Sequence, residues 1–348
     1  KAFGSYDEFE ASTGVRLDDY HLPNVLDVTF EYDGVTMHHI GKVLDCWFES
    51  GSMPFAQFHY PFENKEKFEQ NYPGDFITEY VAQTRAWFYY MHVMGVGLFG
   101  EKSFKNVISH GTLAGNDGRK MSKSFGNYTE PTVLYDEISA DAWRVFLLTS
   151  PFMNGEDVDL LDKDVALMER KLNMLYNTYD FFTMYASVDN YEAEYGKVPS
   201  SENPMDRWIL SKLQGVIKSA ADGMDAFVLN DATRPMIEFL DDLSNWFVRR
   251  SRKRFWKSEN DGDKLAAYDT LYFVLVEYSK LLAPFAPFMA EDLFHKLTGK
   301  ESVHLEDYPQ QNPELVYATL ETEMDDVRGF ITEGLSLRAK AQMKVRQP

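Results

Sequence analysis

Two lysines three positions apart, Lys120 and Lys123, lie in a glycine-flanked segment with the sequence GRKMSKSFGN (118–127). The segment follows FKNVISHGTL (104–113), whose apolar run predicts a buried parallel strand, and precedes ADAWRVFLLT (140–149), which predicts a helix. Paired ammonium groups on a turn between a strand and a helix are suited to binding phosphate. A Lys-x-x-Lys turn by itself is more often a solvated loop, so the rest of the chain must decide between these interpretations.

Length and composition limit the class of protein. The 348 residues are enough for two domains with separate cores. The single cysteine, Cys46, excludes a disulfide framework and a multi-cysteine zinc ribbon, and it fits a reducing compartment. No apolar stretch approaches the roughly 20 residues that span a bilayer. A formal net charge of −20 argues against broad non-specific affinity for nucleic acids. We therefore expect a soluble, cytoplasmic protein that does not contact membranes.

Hydrophobic patterns predict an α/β fold for the first part of the chain. Residues 1–42 alternate short apolar runs with polar turns, which is typical of short strands. In residues 43–150, strands alternate with helices, which predicts an α/β fold of the Rossmann-like type, with a parallel sheet and crossover helices. Ligands bind at the carboxyl ends of such strands. The elements predicted in this part are strands at 76–80 and around Val107, and helices at 83–99 and around Trp143.

The remaining residues, 151–348, predict an all-α helical bundle. Apolar residues recur at steps of three and four through 161–185 and 206–224, which is typical of amphipathic helices. A polar, proline-containing stretch at 187–204 predicts an exposed connection between them. Further helices are predicted at 231–257, 264–282 and 287–298.

Three further motifs identify a family. They are CWFESGS (46–52), EYVAQTRAWF (79–88) and LSNWFVRRSRKRFW (243–256). With the KMSKS segment, these motifs make the chain similar to the class I aminoacyl-tRNA synthetases, and among them to the isoleucyl-tRNA synthetases. The resemblance implies that 1–42 is a return segment from an editing insertion and that 43–150 is the second half of the nucleotide-binding domain. It also implies that 151–348 is the helical domain that binds the tRNA anticodon.

The resemblance also implies a reaction. The parent enzyme is expected to join isoleucine and ATP, which carries Mg²⁺ as a substrate, into isoleucyl-adenylate and to transfer isoleucine to tRNA(Ile). It implies a monomer with no protein-bound metal or organic cofactor. A valyl-tRNA synthetase is the nearest alternative, disfavoured by Glu49-Ser50-Gly51 and the context of Trp87. A catalytically inert tRNA-binding module is the other alternative.

The two ends of the sequence predict an internal fragment. The chain begins at Lys1 without a methionine and ends within the RAKAQMKVRQP segment (338–348), which in the family continues into further chain. The family's His-x-Gly-His motif is absent, because His39-Ile40-Gly41 is followed by Lys42 and lies at the wrong point in the order of motifs. We expect that a fragment without this motif and without the editing domain is inactive alone.

The KMSKS segment supplies the predicted catalytic residues, Lys120 and Lys123. Two ammonium groups stabilise the negative charge that develops on the phosphates during adenylate formation. By resemblance, Lys123 contacts the phosphates most directly, Lys120 and Ser122 shape the loop, and Met121 lies near the adenine. The flanking glycines are expected to supply the backbone freedom for loop closure.

Residues at the predicted strand ends complete the nucleotide site. His110 and Gly111 end the strand at Val107, and the resemblance places them against the nucleotide, although a lone histidine is more often structural. By the same resemblance, Glu79 accepts hydrogen bonds from the ribose hydroxyls and Gln83 contacts the adenylate. Three positions depart from the EGxDQxRGWF pattern: Tyr80 for glycine, Ala82 for aspartate and Ala86 for glycine.

Two tryptophans, Trp47 and Trp87, are the predicted isoleucine pocket. Indole rings provide large, rigid apolar walls that can hold a branched aliphatic side chain. Their positions match the family's pocket pair. Packing in the protein core is the alternative interpretation, because the chain contains six tryptophans.

A basic run from 249 to 257 contains no acidic residue and contrasts with the acidic chain as a whole. On a helix, Leu240, Leu243 and Phe247 face inward, while Arg249, Arg252, Lys253 and Lys257 share an outer face and form a basic patch suited to phosphate. We expect this patch to bind tRNA, with a solvated charged surface as the alternative. The predicted tRNA-binding residues are Arg249, Arg250, Arg252, Lys253, Arg254 and Lys257.

Overall fold

The structure, a computed structural model, describes residues 1–43, 45–115, 117–121, 124–257 and 261–345. Six strands occur in this part of the chain: β1 Phe30–Tyr32, β2 Val35–Met37, β3 Gly74–Tyr80, β4 Phe104–His110, β5 Leu113–Ala114 and β6 Val158–Asp159. The helices up to residue 150 are α1 Tyr6–Thr13, α2 Cys46–Gly51, α3 Met53–Ala56, α4 Lys65–Asn71, α5 Trp87–Phe99, α6 Pro131–Glu137 and α7 Ala140–Thr149. Those after it are α8 Asp162–Asp189, α9 Pro204–Asp225, α10 Leu229–Leu240, α11 Arg249–Phe255, α12 Gly262–Leu282, α13 Pro287–Thr298 and α14 Ala318–Lys340.

The chain forms two compact units. The first consists of Lys1–Phe76 and Ala82–Lys105, and the second of Ile77–Val81 and Asn106–Pro348. The predicted division at residues 42 and 150 remains a prediction.

In the first unit, a short helix packs closely on a longer one. A Cβ atom on Gly51 of α2 would lie 2.9 Å from the Cβ of Tyr90 in α5, so only glycine permits this approach. Farther along, Phe68 of α4 is buried among aromatic rings, with centroids 4.3 Å from Tyr60 and 5.1 Å from Phe99. The motif glycine at position 51 is therefore explained by helix packing.

The strands are short and their pairing is simple. β1 and β2 form an antiparallel hairpin around Asp33 and Gly34, which both have positive φ, as a tight turn requires. β3 pairs with β4, and β5 pairs with β6 in parallel. The prediction that the strand around Val107 is buried was wrong. Val107 is 42% exposed, since in the described residues β4 pairs with β3 alone.

The helix predicted at 83–99 begins later than expected. A 3₁₀ helix covers Val81–Arg85, and α5 starts at Trp87. The side-chain oxygen of Gln83 accepts a hydrogen bond from the backbone N–H of Trp87 at 3.0 Å. Gln83 thereby satisfies a free donor at the start of α5 from a position outside the helix.

A helical bundle dominates the second unit, as predicted. Trp208, Leu210, Leu213 and Ile217 of α9 are all at most 2% exposed, in agreement with the predicted inward face. The helix predicted at 231–257 consists of α10, a π-helical segment Asp241–Val248, and α11. α14 has no predicted counterpart, and it contains no buried residue.

The core of the bundle also includes residues that precede position 151. Ala142, Trp143 and Val145 of α7 belong to the same buried cluster as Leu172 of α8 and Phe239 of α10. Hydrogen bonds reinforce this packing: the carboxylate of Asp141 in α7 accepts the backbone N–H of Met289 in α13 at 2.7 Å. The chain between the KMSKS segment and the bundle is therefore anchored in the bundle core.

Candidate functional site

The carboxyl ends of β3 and β4 bring several predicted nucleotide-site residues together in the second unit. The ring of Tyr80, the last residue of β3, lies 6.5 Å from the ring of His110, the last residue of β4. The imidazole of His110 stacks on Phe152, with centroids 4.5 Å apart. The carboxylate of Glu79 accepts the backbone N–H of Tyr80 at 2.8 Å. Half-buried polar and aromatic groups thus line the end of this sheet.

Gly111 has an intramolecular reason to be glycine. A Cβ atom there would lie 1.9 Å from the carbonyl oxygen of Glu156, and its own N–H donates to the carbonyl of Phe152 at 2.8 Å. The resemblance places Gly111 against the nucleotide, and that role stays a prediction. In the structure, residues 152–156 approach this glycine closely.

The segment around Lys120 folds back on β5 as a small hairpin. Lys120 forms an antiparallel bridge with Ala114, and the N–H of Gly115 donates to the carbonyl of Arg119 at 2.8 Å. Gly118 has a φ of 72°, and farther along Gly126 has a φ of 57°, as expected for the flanking glycines. The backbone of Lys120 is therefore held against β5 by this bridge.

The side chain of Lys120 points toward the strand ends. Its Nζ lies 5.9 Å from the centroid of the Tyr80 ring, within the range of a cation–π contact. Tyr80 thus brings an aromatic face to the position where the family pattern has glycine. Met121 is half-buried and packs against the core of the second unit. Ser122 and Lys123 lie outside the described residues, so their predicted roles stay predictions.

A carboxylate that the sequence analysis missed lies beside this cluster. Asp157 accepts the N–H of Thr112 at 2.9 Å, and it also accepts the Thr112 hydroxyl. These two hydrogen bonds, with a smaller contribution from the positive charge of Lys120, lower the pKa of Asp157 below its ordinary value. No motif signals Asp157, because the contact joins residues 45 positions apart.

The predicted isoleucine-pocket residues lie in the first unit. The carboxylate of Asp45 caps α2 by accepting the N–H groups of Trp47 and Phe48 at 2.9 and 3.2 Å. The indole N–H of Trp87 donates to the carbonyl of Ser50 at 3.0 Å, which ties the start of α5 to α2. Trp47 is 37% exposed and Trp87 is half-buried, so neither ring is part of a closed core.

The basic run on α11 divides into two groups. Arg249, Arg250, Arg252 and Lys253 are exposed, and within the described residues no carboxylate forms an ion pair with them. The guanidinium of Arg250 lies over the ring of Trp246 at 4.5 Å. These four cations form the basic patch of α11.

Arg254, which the sequence predicted to bind tRNA, is buried instead of exposed. It is 8% exposed, and its guanidinium forms two hydrogen bonds to Asp206, at 2.6 and 2.7 Å. Asp263 is a second partner, at 2.9 Å. Burial opposes the charge of Arg254, but the bonds to Asp206 and Asp263 outweigh it and raise its pKa. With both carboxylates bound, the guanidinium is not free to contact phosphate.

Lys257 is exposed but engaged with acidic side chains. Its Nζ lies 3.0 Å from Asp261 and 3.3 Å from Asp263. The basic run contains no acid in sequence, but the fold brings acids to its carboxyl-terminal end. The patch available for phosphate is therefore limited to its first four cations.

In the part of the chain that the structure describes, no helix combines the length and the apolar character needed to cross a membrane.

Comparison with known families gives two matches along the chain. Residues 14–159 match the family model described as tRNA synthetases class I (I, L, M and V). Residues 206–348 match the model described as the anticodon-binding domain of tRNA ligase.

Curated relatives cover almost the whole chain. The isoleucine–tRNA ligase of Treponema denticola is 41% identical, over 99% of this chain and 33% of that protein. The isoleucine–tRNA ligase of Chlamydia pneumoniae is also 41% identical, over 99% of this chain and 34% of that protein. The chain thus spans about a third of the length of the curated relatives it matches.

Two solved structures share the fold. A LeuRS–tRNA–LeuAMS ternary complex from Agrobacterium radiobacter aligns with a TM-score of 0.65 at 21% identity, over 82% of this chain and 35% of that chain. Methionyl-tRNA synthetase of Mycobacterium tuberculosis, in complex with methionyl-adenylate, aligns with a TM-score of 0.57 at 24% identity, over 68% of this chain and 47% of that chain.

Proposed function

Since the chain belongs to the class I aminoacyl-tRNA synthetases, in the isoleucine–tRNA ligase family, we propose that it is a segment of an enzyme that activates isoleucine with ATP and transfers it to tRNA(Ile). The observation that carries the proposal is the 41% identity to isoleucine–tRNA ligases along 99% of the chain. Valyl-tRNA synthetase is not favoured by these relatives. The proposed setting is a cytoplasmic monomer, with ATP and its Mg²⁺ as substrates.

In the proposed reaction, a carboxylate oxygen of isoleucine attacks the α-phosphorus of ATP and pyrophosphate leaves, while Lys120 and Lys123 stabilise the charge on the phosphates. The position of Lys120, beside the carboxyl ends of β3 and β4, supports this role because ligands of α/β folds bind at the carboxyl ends of strands. His110 is the last residue of β4 and Glu79 is the next-to-last residue of β3. We propose that they contact the nucleotide together with Gln83, Gly111, Met121 and Ser122.

We propose that Trp47 and Trp87 hold the isoleucine side chain. Both are partly exposed, and Trp87 is oriented by its bond to the carbonyl of Ser50. Such a pocket separates isoleucine from valine by only about 10- to 200-fold, because the two differ by one methylene group. Truncating Trp87 to alanine is expected to raise the apparent KM for isoleucine with little change in the KM for ATP. Equal changes in both constants would contradict a pocket role.

For tRNA, we propose that the basic patch of α11 contacts backbone phosphates. Four exposed cations, which have no acidic partner among the residues that the structure describes, support this role in a chain that is acidic as a whole.

The direct test is ATP–pyrophosphate exchange by the full-length ligase that contains this segment, with isoleucine, valine, leucine and methionine compared as substrates. Exchange that is highest with isoleucine, followed by charging of tRNA(Ile), is the expected result. Preference for valine, or exchange that needs no amino acid, would overturn the assignment. The 348-residue chain alone is expected to give no exchange above background, because it lacks a His-x-Gly-His motif.

A further inference from the structure

Asn127 closes the hairpin that carries Lys120, and no motif argument assigns it a role. Its side-chain Nδ2 donates to the carboxylate of Asp117 at 2.9 Å. The same nitrogen lies within hydrogen-bonding distance of the carbonyl oxygens of Arg119, at 3.2 Å, and Lys120, at 3.3 Å. One amide group therefore reaches both the turn of the hairpin and the backbone of the predicted catalytic lysine.

Steric fit gives an independent observation of the same contact. A Cβ atom on Gly115 would lie 2.1 Å from the backbone oxygen of Asn127 and 2.7 Å from its Nδ2. A side chain at position 115 would thus expel Asn127. Gly115 has no unusual φ, so the close approach of Asn127 is the reason for a glycine there.

Arg119 makes a second set of contacts in the same loop. Arg119 forms an ion pair with Asp117 at 2.6 Å, and its guanidinium lies 4.7 Å from the centroid of the Phe125 ring. Hydrogen bonds from Asn127 and then from Arg119 lower the pKa of Asp117 to about 2, so this acceptor stays ionised at neutral pH. We call Gly115, Asp117, Arg119, Phe125 and Asn127 the loop clasp.

We propose that Asn127 is a positioning residue that, through the loop clasp, fixes the backbone of Lys120 for reaction with ATP. The proposal rests on the proposed function for its catalytic consequence, but the holding of the hairpin can be measured without substrates. In this proposal Asn127 acts through its hydrogen bonds to Asp117 and to the backbone of Lys120, not through contact with the nucleotide.

Two substitutions in the full-length ligase test the contact between Asn127 and Gly115, one at each residue. Asn127→Asp keeps the shape but removes the donors and adds a negative charge beside Asp117. Gly115→Ala leaves Asn127 intact but fills its space. Each has a matched control on an exposed helical position of the bundle: Asn173→Asp on α8 and Gly215→Ala on α9, where an added Cβ meets nothing within 4 Å.

The first readout is hydrogen exchange of the peptide 113–121 without substrates. The amide hydrogens of this peptide are expected to exchange faster in both clasp variants than in the wild type. In the two control variants they are expected to exchange at the wild-type rate. Unchanged exchange in both clasp variants would overturn the proposal, whatever the enzyme's substrate proves to be.

The second readout is isoleucine-dependent pyrophosphate exchange. Each clasp variant is expected to lower kcat about tenfold, the effect of about one net hydrogen bond, with the KM for isoleucine unchanged. In a Lys120→Ala background the same variants should lower kcat no further, because they act through Lys120. Additive losses in that background would show that Asn127 acts independently and would overturn its positioning role. Absence of isoleucine-dependent pyrophosphate exchange in the wild type would instead overturn the proposed function. In that case, hydrogen exchange of the peptide 113–121 alone would decide whether Asn127 holds the hairpin.

Discussion

Two arginine–aspartate pairs in the second unit have similar geometry and different surroundings. Arg119 lies 2.6 Å from Asp117 in the loop clasp, where the side chains are 63% and 32% exposed. Arg254 lies 2.6 Å from Asp206 in the helical bundle, where the exposures are 10% and 0%. Water screens the first pair, so it shapes a loop with little effect on stability. The second pair has no water to replace a lost partner, so the fold depends on both of its members.

The comparison predicts its largest effect for the buried pair. Arg254→Ala should lower the free energy of unfolding by about 3 to 5 kcal/mol, because it leaves the carboxylate of Asp206 buried without its cation. Urea unfolding followed by tryptophan fluorescence measures this loss. Arg119→Ala is the matched control and should change stability little. Equal losses for the two variants would break the comparison.

Lys120→Ala should lower activity strongly and stability little, which is the opposite of the effect expected for Arg254→Ala. Removing one preorganised stabiliser of developing charge typically lowers kcat by about 10² to 10³-fold, and an exposed lysine contributes little to folding. Steady-state pyrophosphate exchange in the full-length ligase, with the urea midpoint of the same variant, separates the two effects. A normal rate would mean that Lys120 is a solvated bystander.

The basic patch of α11 tests whether its exposed cations bind tRNA, in contrast to the arginines that are paired with aspartates. Reversing Arg252 and Lys253 to glutamate should weaken tRNA binding and reduce its salt dependence, by about one unit of the log–log slope for each phosphate that the patch no longer neutralises. Adenylate formation should be unaffected. The control is the same double reversal at Lys65 and Lys67, two exposed lysines of α4. Identical salt slopes for wild type and the α11 variant would place the tRNA surface elsewhere.

The smallest effect concerns pH and the loop clasp. The pKa of Asp117 is lowered to about 2 in the folded protein, so the contribution of its ionised form is present above the ordinary aspartate value of about 3.9 and is lost as the pH falls toward 2. Hydrogen exchange of the peptide 113–121, corrected for intrinsic rates, should therefore reveal a constant degree of protection between pH 5 and 8. Loss of protection near pH 6 would mean that another group controls the hairpin.

Motifs and periodicity were sufficient for much of the fold. α7 and α13 have the predicted limits, because regular apolar spacing and a proline at the start of α13 are local signals. The inward position of Arg254 also has a local signal, because Arg254 lies seven residues after the buried Phe247, on the same helical stripe.

The sequence by itself determined the family, the helical bundle, and the location of Lys120 near the strand ends, since these follow from contiguous residues. Only the tertiary structure decided which cations are free. Asp206 meets Arg254 across 48 positions, and Asp261 and Asp263 approach Lys257 from the start of α12. It also decided why Gly111 and Gly115 must be glycine, because the atoms that approach them belong to Glu156 and Asn127. Such contacts depend on how distant segments pack, which local spacing does not specify.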